Sequence, residues 1–188
     1  MQINIRPRLF VLDFLPKGAI GAEIGVHMGA YSAQILNISH PKKLYLIDPY
    51  RYRSEEAYDR ALYGGSETSQ EVLDRRYEQV RRMLQKPIET GILELIRETS
   101  AQAARLIPDE SLDYVYIDGD HSFDMVRSDI KTYLPKIKPN GLIIGDDYSL
   151  NGWWGAGVVK AFAQCLHEDN LKIEFVIGDQ ICCRKVVL

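Results

Sequence analysis

The stretch "LDYVYIDGDHSFDMVRSDI", Leu112 to Ile130, contains a strand, a polar loop and the start of a helix. Its apolar run ends at Asp118, and Asp120 and His121 follow almost at once. Carboxylates resist burial unless a cation, a hydrogen-bond donor or a ligand compensates them. Polar groups crowded at the end of a buried strand therefore predict either a turn cap or a ligand site.

The same succession of strand and helix recurs along the chain. The predicted strands are Ala19–Val26, Lys43–Ile47, Ile92–Ile96, Leu112–Ile117, Leu142–Gly145, Ile173–Ile177 and Ile181–Val187. The predicted helices lie near Tyr31–Leu36, Gln70–Leu84, Ala101–Leu106, Ser122–Ile137 and Val158–His167. Only Gly178 to Gln180 separate the last two strands, which is too short for a parallel crossover. We expect an α/β fold whose seven-stranded sheet is mostly parallel, with helices on both faces and a reversed C-terminal hairpin.

Composition limits the size of the protein and the kind of partner it has. The chain has 188 residues, 46% hydrophobic and 26% charged, which predicts a single globular domain over residues 1–188. A net charge of -3 gives no electrostatic reason to expect nucleic acid or an anionic membrane as partner. No signal peptide and no run of about 18 apolar residues is evident, so we expect a cytoplasmic protein. The three cysteines suit reduced core thiols better than disulfides or zinc.

Acidic residues occur at or just beyond the ends of the five strands that precede the closing hairpin. In open α/β sheets ligands bind at the carboxyl ends of the strands. A single acid there is usually a helix cap, but an acid at each of five ends favours a shared site. The acids are Glu23, Asp48, Glu98, Asp118 and the pair Asp146 and Asp147.

The first turn, "AEIGVHMGAYS" from Ala22 to Ser32, indicates which nucleotide the site takes. Gly25 and Gly29 allow close approach to the backbone, but the turn is not a G-x-G-x-x-G dinucleotide motif. Glu23 would repel a pyrophosphate and attract the cationic S-adenosylmethionine. Asp48 ends the second strand, where a carboxylate can accept both ribose hydroxyls. The alternative is a tight turn with a buried glutamate and a capping aspartate.

With these features the sequence resembles the class I S-adenosylmethionine-dependent methyltransferases. It is most similar to the short bacterial methyltransferase domains related to macrocin- and mycinamicin-type sugar O-methyltransferases, and more distantly to catechol O-methyltransferase. The resemblance rests on blocks that occur in family order: "AEIGVHMGAYS", "LYLIDPY", "LDRRYEQVRRM", "LELIRETSAQAA", "LDYVYIDGDHSFDMVRSDI", "LPKIKPNGLIIGDDY" and "WWGAGVVKAF". The sequence departs from the family around His27, where a third glycine is usual, and in lacking most of the N-terminal helices that cap the acceptor.

The resemblance implies a Rossmann-like fold with S-adenosylmethionine over the first two strands and an acceptor beyond strands four and five. Ser100 is implied as a contact to the adenine after strand three. We assign Ser32, the last residue of the first block, to the same cofactor site as Glu23, Gly25, Gly29, Asp48 and Asp118. The acceptor is expected to be a small molecule with a hydroxyl group.

Three carboxylates at neighbouring strand ends predict a cation site. Asp118, Asp146 and Asp147 offer the hard oxygen ligands that Mg²⁺ or a similar divalent ion prefers, and the resemblance places a metal at the same positions. One of Asp146 and Asp147 could instead cap a turn, since successive strand residues face opposite sides. His121 is the candidate general base for the acceptor hydroxyl, with Asp118 beside it; the alternative is that it only supports Asp118.

Several assignments stay open at this level. Trp153 and Trp154 either floor an acceptor pocket or pack under the last helix. Tyrosines of the insertion Tyr50–Gly65 either form a lid or contact a second copy of the chain, as in a homodimer. Two other functional classes are possible. One is an S-adenosylmethionine-binding module without activity. The other is an aspartyl-phosphate phosphatase, because "YIDGDHS" and "IIGDDY" resemble the motifs of that class, although their spacing does not suit it.

Overall fold

The computed structural model describes residues 6–152 and 154–186. The seven strands are β1 (Ile20–Ile24), β2 (Lys43–Ile47), β3 (Leu93–Ile96), β4 (Leu112–Ile117), β5 (Ile137–Gly145), β6 (Leu171–Ile177) and β7 (Gln180–Lys185). The α-helices are α1 (Pro7–Phe14), α2 (Ala30–Ser39), α3 (Gln70–Met83), α4 (Gln85–Glu89), α5 (Ser100–Ala103), α6 (Phe123–Tyr133) and α7 (Gly157–Glu168).

The strands form one sheet in the order β3-β2-β1-β4-β5-β7-β6. The first five strands pair in parallel, whereas β7 is antiparallel to both β5 and β6. This confirms the predicted seven-stranded, mostly parallel Rossmann-like sheet with a reversed C-terminal hairpin. The order reverses between β1 and β4, and such a switch point is where doubly wound sheets bind their ligands.

Helices cover both faces of the sheet, as predicted, because the strand side chains alternate between two apolar cores. Tyr114 and Tyr116 of β4 join one core together with residues of α1, α2 and α3. Val115 and Ile117 join the other core with residues of α5, α6 and α7. The core that contains Tyr114 and Tyr116 therefore lies on the sheet face that α1 covers.

Most predicted elements agree with the structure to within three residues at each end, and the largest differences are at the end of α6 and the start of β5. The helix predicted to reach Ile137 ends at Tyr133, and after one 3₁₀ turn β5 begins at Ile137 rather than at Leu142. The reason is long-range pairing, since Ile137 lies opposite Leu112 of β4. The N-terminal helix α1 was not predicted, and Val187 of the last predicted strand lies outside the described residues.

The α-helices are short, the longest described being α3 with 14 residues. Among residues 6–152 and 154–186, none is both long and apolar enough to cross a membrane.

Candidate functional site

Parallel register brings the strand ends level with one another. Ile24 of β1 pairs with Ile47 of β2 and with Ile117 of β4, and Ile117 pairs with Gly145 of β5. The residues that follow each strand continue the ladder: the amide of Gly25 donates to Ile47 O at 2.9 Å, that of Asp118 to Ile24 O at 2.8 Å, and that of Asp146 to Ile117 O at 3.0 Å. The predicted strand-end residues are thus placed in one row.

A cavity of about 520 Å³ lies along this row, within the size range of small-molecule sites. Its floor is formed by the strand ends, including Glu23, Gly25, Asp48, Asp118, Asp146 and Asp147. Ser100, His121 and Trp154 also line it. Most of the predicted site residues therefore share one cavity, whereas Gly29 and Ser32 lie behind its wall.

The loop between β1 and α2, called here the first loop, has a glycine backbone at the cavity wall, without a side chain to cover it. Gly25, His27 and Gly29 all have left-handed conformations, with φ of 88°, 50° and 73°. A Cβ on Gly25 would lie 2.1 Å from the carbonyl oxygen of Asp118, so only glycine fits there. His27, where the sequence departs from the family pattern, lines the cavity.

Asp48 holds this loop in place. Its Oδ2 accepts hydrogen bonds from the amides of Val26 and His27 at 3.0 Å each, and its Oδ1 accepts one from Tyr50 N at 2.8 Å. A carboxylate has about four lone-pair positions, so roughly one remains for a ligand hydroxyl. The sequence predicts that Asp48 accepts hydrogen bonds from both ribose hydroxyls. Because three backbone amides already occupy most of its acceptor capacity, we expect it to accept only one of them.

Glu23 and Ser32 form a buried pair beneath the loop. The Ser32 hydroxyl donates to Glu23 Oε2 at 2.6 Å, and the Glu23 side chain is almost wholly excluded from solvent. Burial raises the pKa of Glu23 to about 8, which the hydrogen bond from Ser32 only partly opposes. Glu23 is therefore mainly protonated at neutral pH before a cation binds, and Ser32 reaches the site only through Glu23.

Arg8 of α1 enters the row of carboxylates from one side. Its Nη2 forms ion pairs with Asp118 and, at 2.7 Å, with Asp146 Oδ2. Its Nε donates to the hydroxyl of Tyr116 at 3.1 Å, and its guanidinium lies over the ring of Tyr31, 4.5 Å from the centroid. Burial nevertheless raises the pKa of Asp118 to about 6, since desolvation of the charged form exceeds the help from its partners.

Of the predicted metal ligands Asp118, Asp146 and Asp147, all three line the cavity, and Asp146 is the one with other partners for both of its oxygens. The carboxylate of Asp146 is held by Arg8 and by a hydrogen bond from Gln180 Nε2. Asp147 has a left-handed backbone conformation, with φ of 55°, which redirects it toward His121. Asp146 and Asp147 are adjacent in sequence but have different partners. Among the described residues, the group able to hold a metal ion is Asp118, His121 and Asp147, whose ligand atoms lie within 4.8 Å of one another.

His121 is the centre of this group. Its Nε2 lies 3.2 Å from Asp147 Oδ2 and 3.5 Å from Asp118 Oδ1, and it is buried without a hydrogen bond of good geometry to the described residues. Burial by itself lowers the pKa of His121, but the two carboxylates outweigh it, and the net pKa lies above the usual value. The Trp154 ring packs beside it, with centroids 4.7 Å apart. Trp153 lies outside the described residues.

Ser100, predicted to contact the adenine, begins α5 and lines the cavity. Its hydroxyl donates to Asp129 of α6, and its carbonyl accepts from the Tyr133 hydroxyl at 3.0 Å. Burial raises the pKa of Asp129 to about 7, with the Ser100 hydrogen bond acting in the opposite direction. Asp129 also lines the cavity, although the sequence shows it only as an acid within an amphipathic helix.

The insertion between β2 and α3 contributes part of the lining of the cavity. Tyr50 and Tyr63 line the cavity, whereas Tyr52 and Tyr58 do not. Burial and the nearby carboxylate of Asp120 raise the pKa values of Tyr58 and Tyr63, so this segment reaches the loop after β4. Tyr50 and Tyr63 are therefore placed to contact a ligand, and the choice between a lid and a contact with a second copy stays a prediction.

Sequence reasoning missed Arg8, His27, Asp129 and the cavity-lining arginines of the insertion. Pro7 at the first turn of α1 is the one local signal for an N-terminal helix. Nothing local links Arg8 to acids more than 100 positions away.

The model of a family described as "Methyltransferase domain" matches residues 22–148, about two thirds of the chain. No curated protein matches the sequence. The matched region contains both segments that imitate aspartyl-phosphate phosphatases, which removes the reason to consider that class.

Solved structures show the same fold at low sequence identity. A protein from Corynebacterium glutamicum has a TM-score of 0.67 and 12% identity, over 100% of this chain and 84% of its own. A candidate methyltransferase from Streptococcus mutans in complex with SAH has a TM-score of 0.64 and 12% identity, covering 98% and 100%. A candidate caffeoyl-CoA O-methyltransferase from Staphylococcus aureus has a TM-score of 0.65 and 17% identity, covering 99% and 86%.

The family match and the sheet topology agree with the cavity at the switch point and the bare first loop beside Asp48. This chain therefore belongs to the methyltransferase domain family and has the fold of the class I S-adenosylmethionine-dependent methyltransferases.

Proposed function

We propose that this protein transfers the methyl group of S-adenosylmethionine to a hydroxyl oxygen of a small molecule, with His121 as the general base. The observation that carries the proposal is the position of His121 Nε2, buried in the cavity between the carboxylates of Asp118 and Asp147 at 3.5 and 3.2 Å. No hydrogen bond of good geometry from the described residues satisfies this nitrogen, so it is available to take a proton.

The residues present fit the nucleotide. Bare backbone at Gly25 allows close approach, Asp48 has capacity for one more donor, and the cavity has the volume for a small ligand. S-adenosylmethionine supplies an electrophilic methyl group on a positively charged sulfur. Buried Glu23 near that charge would lose its proton more readily, because a cation favours the ionised form.

When bound, S-adenosylmethionine would give up its methyl group from sulfur to the acceptor oxygen, leaving S-adenosylhomocysteine. The hydroxyl proton moves to His121 Nε2, so the neutral ring carries its own proton on Nδ1. Asp118 and Asp147, which both lie beside Nε2, stabilise the imidazolium that results. Trp154 packs against the ring and limits its rotation.

A divalent cation is the second part of this proposal. Asp118 and Asp147, with His121 as a third ligand, have the donor types and spacing for one ion. Such an ion lowers the pKa of a bound hydroxyl. If His121 binds the ion, it cannot also be the base, so cation dependence and the pH profile of His121 variants separate the two roles.

The test is turnover of S-adenosylmethionine to S-adenosylhomocysteine with a panel of hydroxylated acceptors, including sugars and catechols. We expect methylated oxygen in at least one product, identified by mass spectrometry and NMR. Binding of S-adenosylhomocysteine without turnover of any acceptor would indicate a binding module instead. Methylation at nitrogen or carbon would contradict the assignment to oxygen.

A further inference from the structure

In the insertion of residues 50–65, the basic side chains line the cavity and the acidic ones do not. The insertion contains three arginines and three acids, and all three arginines line the cavity whereas none of the acids does. The arginines, called here the rim arginines, are Arg51, Arg53 and Arg60; the acids are Glu55, Glu56 and Asp59. Because a segment of zero net charge presents only its cations to the site, overall composition does not reveal this basic rim.

Two of the rim arginines have no partner among the described residues. Arg51 and Arg60 make neither an ion pair nor a hydrogen bond with residues 6–152 or 154–186. Arg53 pairs with Glu55, 2.9 Å from Nη2 to Oε1, and lies over the Tyr58 ring at 4.3 Å from the centroid. Glu55 and Tyr58 therefore fix one guanidinium, whereas the exposed Arg51 and Arg60 are free to bind an anion in the cavity.

Hydrogen bonds within the insertion and to α3 stabilise the conformation of the segment that carries the rim arginines. Arg76 of α3 donates to the carbonyl of Leu62 at 2.5 Å, and Arg53 N donates to Tyr63 O at 2.9 Å within the insertion. Asp120, in the loop that carries His121, acts electrostatically on Arg53, Tyr58 and Tyr63. The rim arginines thus line the same cavity as His121, and Arg53 lies within electrostatic reach of the loop that carries this histidine.

The floor of the cavity has the opposite character. Asp118, Asp146 and Asp147 are balanced there by one arginine, Arg8. The cofactor has no phosphate and one carboxylate, so it does not require three further guanidinium groups. An acidic floor repels an anionic acceptor unless cations elsewhere in the cavity compensate.

We propose that the acceptor carries an anionic group, a carboxylate or a phosphate, which the rim arginines bind while its hydroxyl faces His121. Guanidinium groups bind both anions through paired hydrogen bonds, and the rim selects acidic acceptors over neutral ones of the same shape. The inference rests on the proposed function for the position of the reacting hydroxyl, but anion binding at the rim can be tested without it.

The probes are inorganic phosphate, pyrophosphate and benzoate, titrated by calorimetry at low ionic strength in buffer free of divalent ions. The protein is used both unliganded and loaded with S-adenosylhomocysteine. The test variant is Arg51→Gln/Arg53→Gln/Arg60→Gln. The control is Arg105→Gln, an exposed arginine outside the cavity.

We expect at least one anion to bind the parent with a stoichiometry near one and the triple variant to bind it at least about 10-fold more weakly, with the control unchanged. Tighter binding of phosphate or of benzoate identifies which acidic group the rim prefers. Absence of anion binding to the parent, equal affinity in the triple variant, or an equal loss in the control would overturn the proposal.

Affinity for S-adenosylhomocysteine is measured in the same samples. A loss of that affinity in the triple variant, matching the loss for the anions, would assign the rim to the cofactor carboxylate and also overturn the proposal. Failure of the parent to bind S-adenosylhomocysteine would instead contradict the proposed function, while the titrations of the unliganded protein would still decide the question of the rim.

Discussion

The guanidinium of Arg8 lies 2.7 Å from the carboxylate of Asp146, and the same nitrogen pairs with Asp118. A helix at the start of the chain thus places a fixed cation between the acids that end two neighbouring strands, at a position where the sequence suggests a metal. Arg8 and Gln180 together engage both oxygens of Asp146, whereas Asp118 keeps Oδ1 for the group that it forms with His121 and Asp147.

Replacing Arg8 tests this compensation. Arg8→Gln leaves two partly buried carboxylates facing each other, so we expect the free energy of unfolding at pH 7 to fall by about 1–3 kcal/mol, at the lower end because Arg8 is partly exposed. The loss should shrink below about pH 6 as Asp118 protonates. Urea denaturation with and without Mg²⁺ measures it, and Arg105→Gln is the matched control. A variant as stable as the parent at pH 7 would show that the ion pairs contribute nothing.

Cation binding should distinguish Asp146 from its neighbours. Asp118→Asn and Asp147→Asn each remove a carboxylate ligand, and we expect the affinity for Mn²⁺ to fall at least about 10-fold. Asp146→Asn should have a smaller effect, because Arg8 and Gln180 engage both carboxylate oxygens of Asp146, whereas Arg8 engages only Oδ2 of Asp118 and leaves Oδ1 beside His121. Electron paramagnetic resonance titration gives the affinities. Full methyl transfer in excess chelator would exclude a required cation.

The base role of His121 predicts a particular pH profile. Asp118 and Asp147 keep the pKa of His121 above its usual value despite burial, so the neutral, proton-accepting form appears only as the pH rises through that raised pKa. The rate for the parent should rise over the same range. His121→Gln should lower kcat by about 10²- to 10⁴-fold and flatten the rise, with cofactor affinity little changed. An unaltered profile in His121→Ala would assign the proton to another acceptor.

Asp48 offers a test of the cofactor loop. Asp48→Ala removes the acceptor for three backbone amides and for one ligand hydroxyl, so affinity for S-adenosylhomocysteine should fall by at least about 10-fold. Asp48→Asn, which keeps one carbonyl oxygen, should retain more of it. Calorimetry provides both values. Unchanged affinity in Asp48→Ala would mean that the loop holds its shape without this carboxylate.

Glu23 should make stability depend on pH. Its pKa is about 8 in the folded protein because of burial, and about 4.3 when exposed, so the folded state binds the extra proton between these values. Stability of the parent should therefore fall as the pH rises through this window, by at most about 1.4 kcal/mol per pH unit. Glu23→Gln should lack this component. The free energy of unfolding of the variant should therefore increase relative to that of the parent as the pH rises from 5 to 8. Parallel profiles would mean that Glu23 is ionised in the fold.

Local sequence was sufficient for the sheet and for the row of strand-end residues. Apolar runs of strand length alternate with helical patterns, and parallel strands place their carboxyl ends at one edge. Gly25, Asp48, Asp118 and Asp146 therefore had to lie near one another once the strands were identified.

Only the tertiary structure decided which of these residues act together. The left-handed backbone at Asp147 separates its side chain from that of Asp146, and no residue type in the sequence specifies this angle. Arg8 reaches Asp118 across 110 positions because α1 packs on the face that Tyr116 shares. Which arginines of residues 50–65 face the cavity likewise depends on how the insertion folds over the sheet. Periodicity reports which side of an element is buried, whereas long-range packing determines which partner each polar group meets.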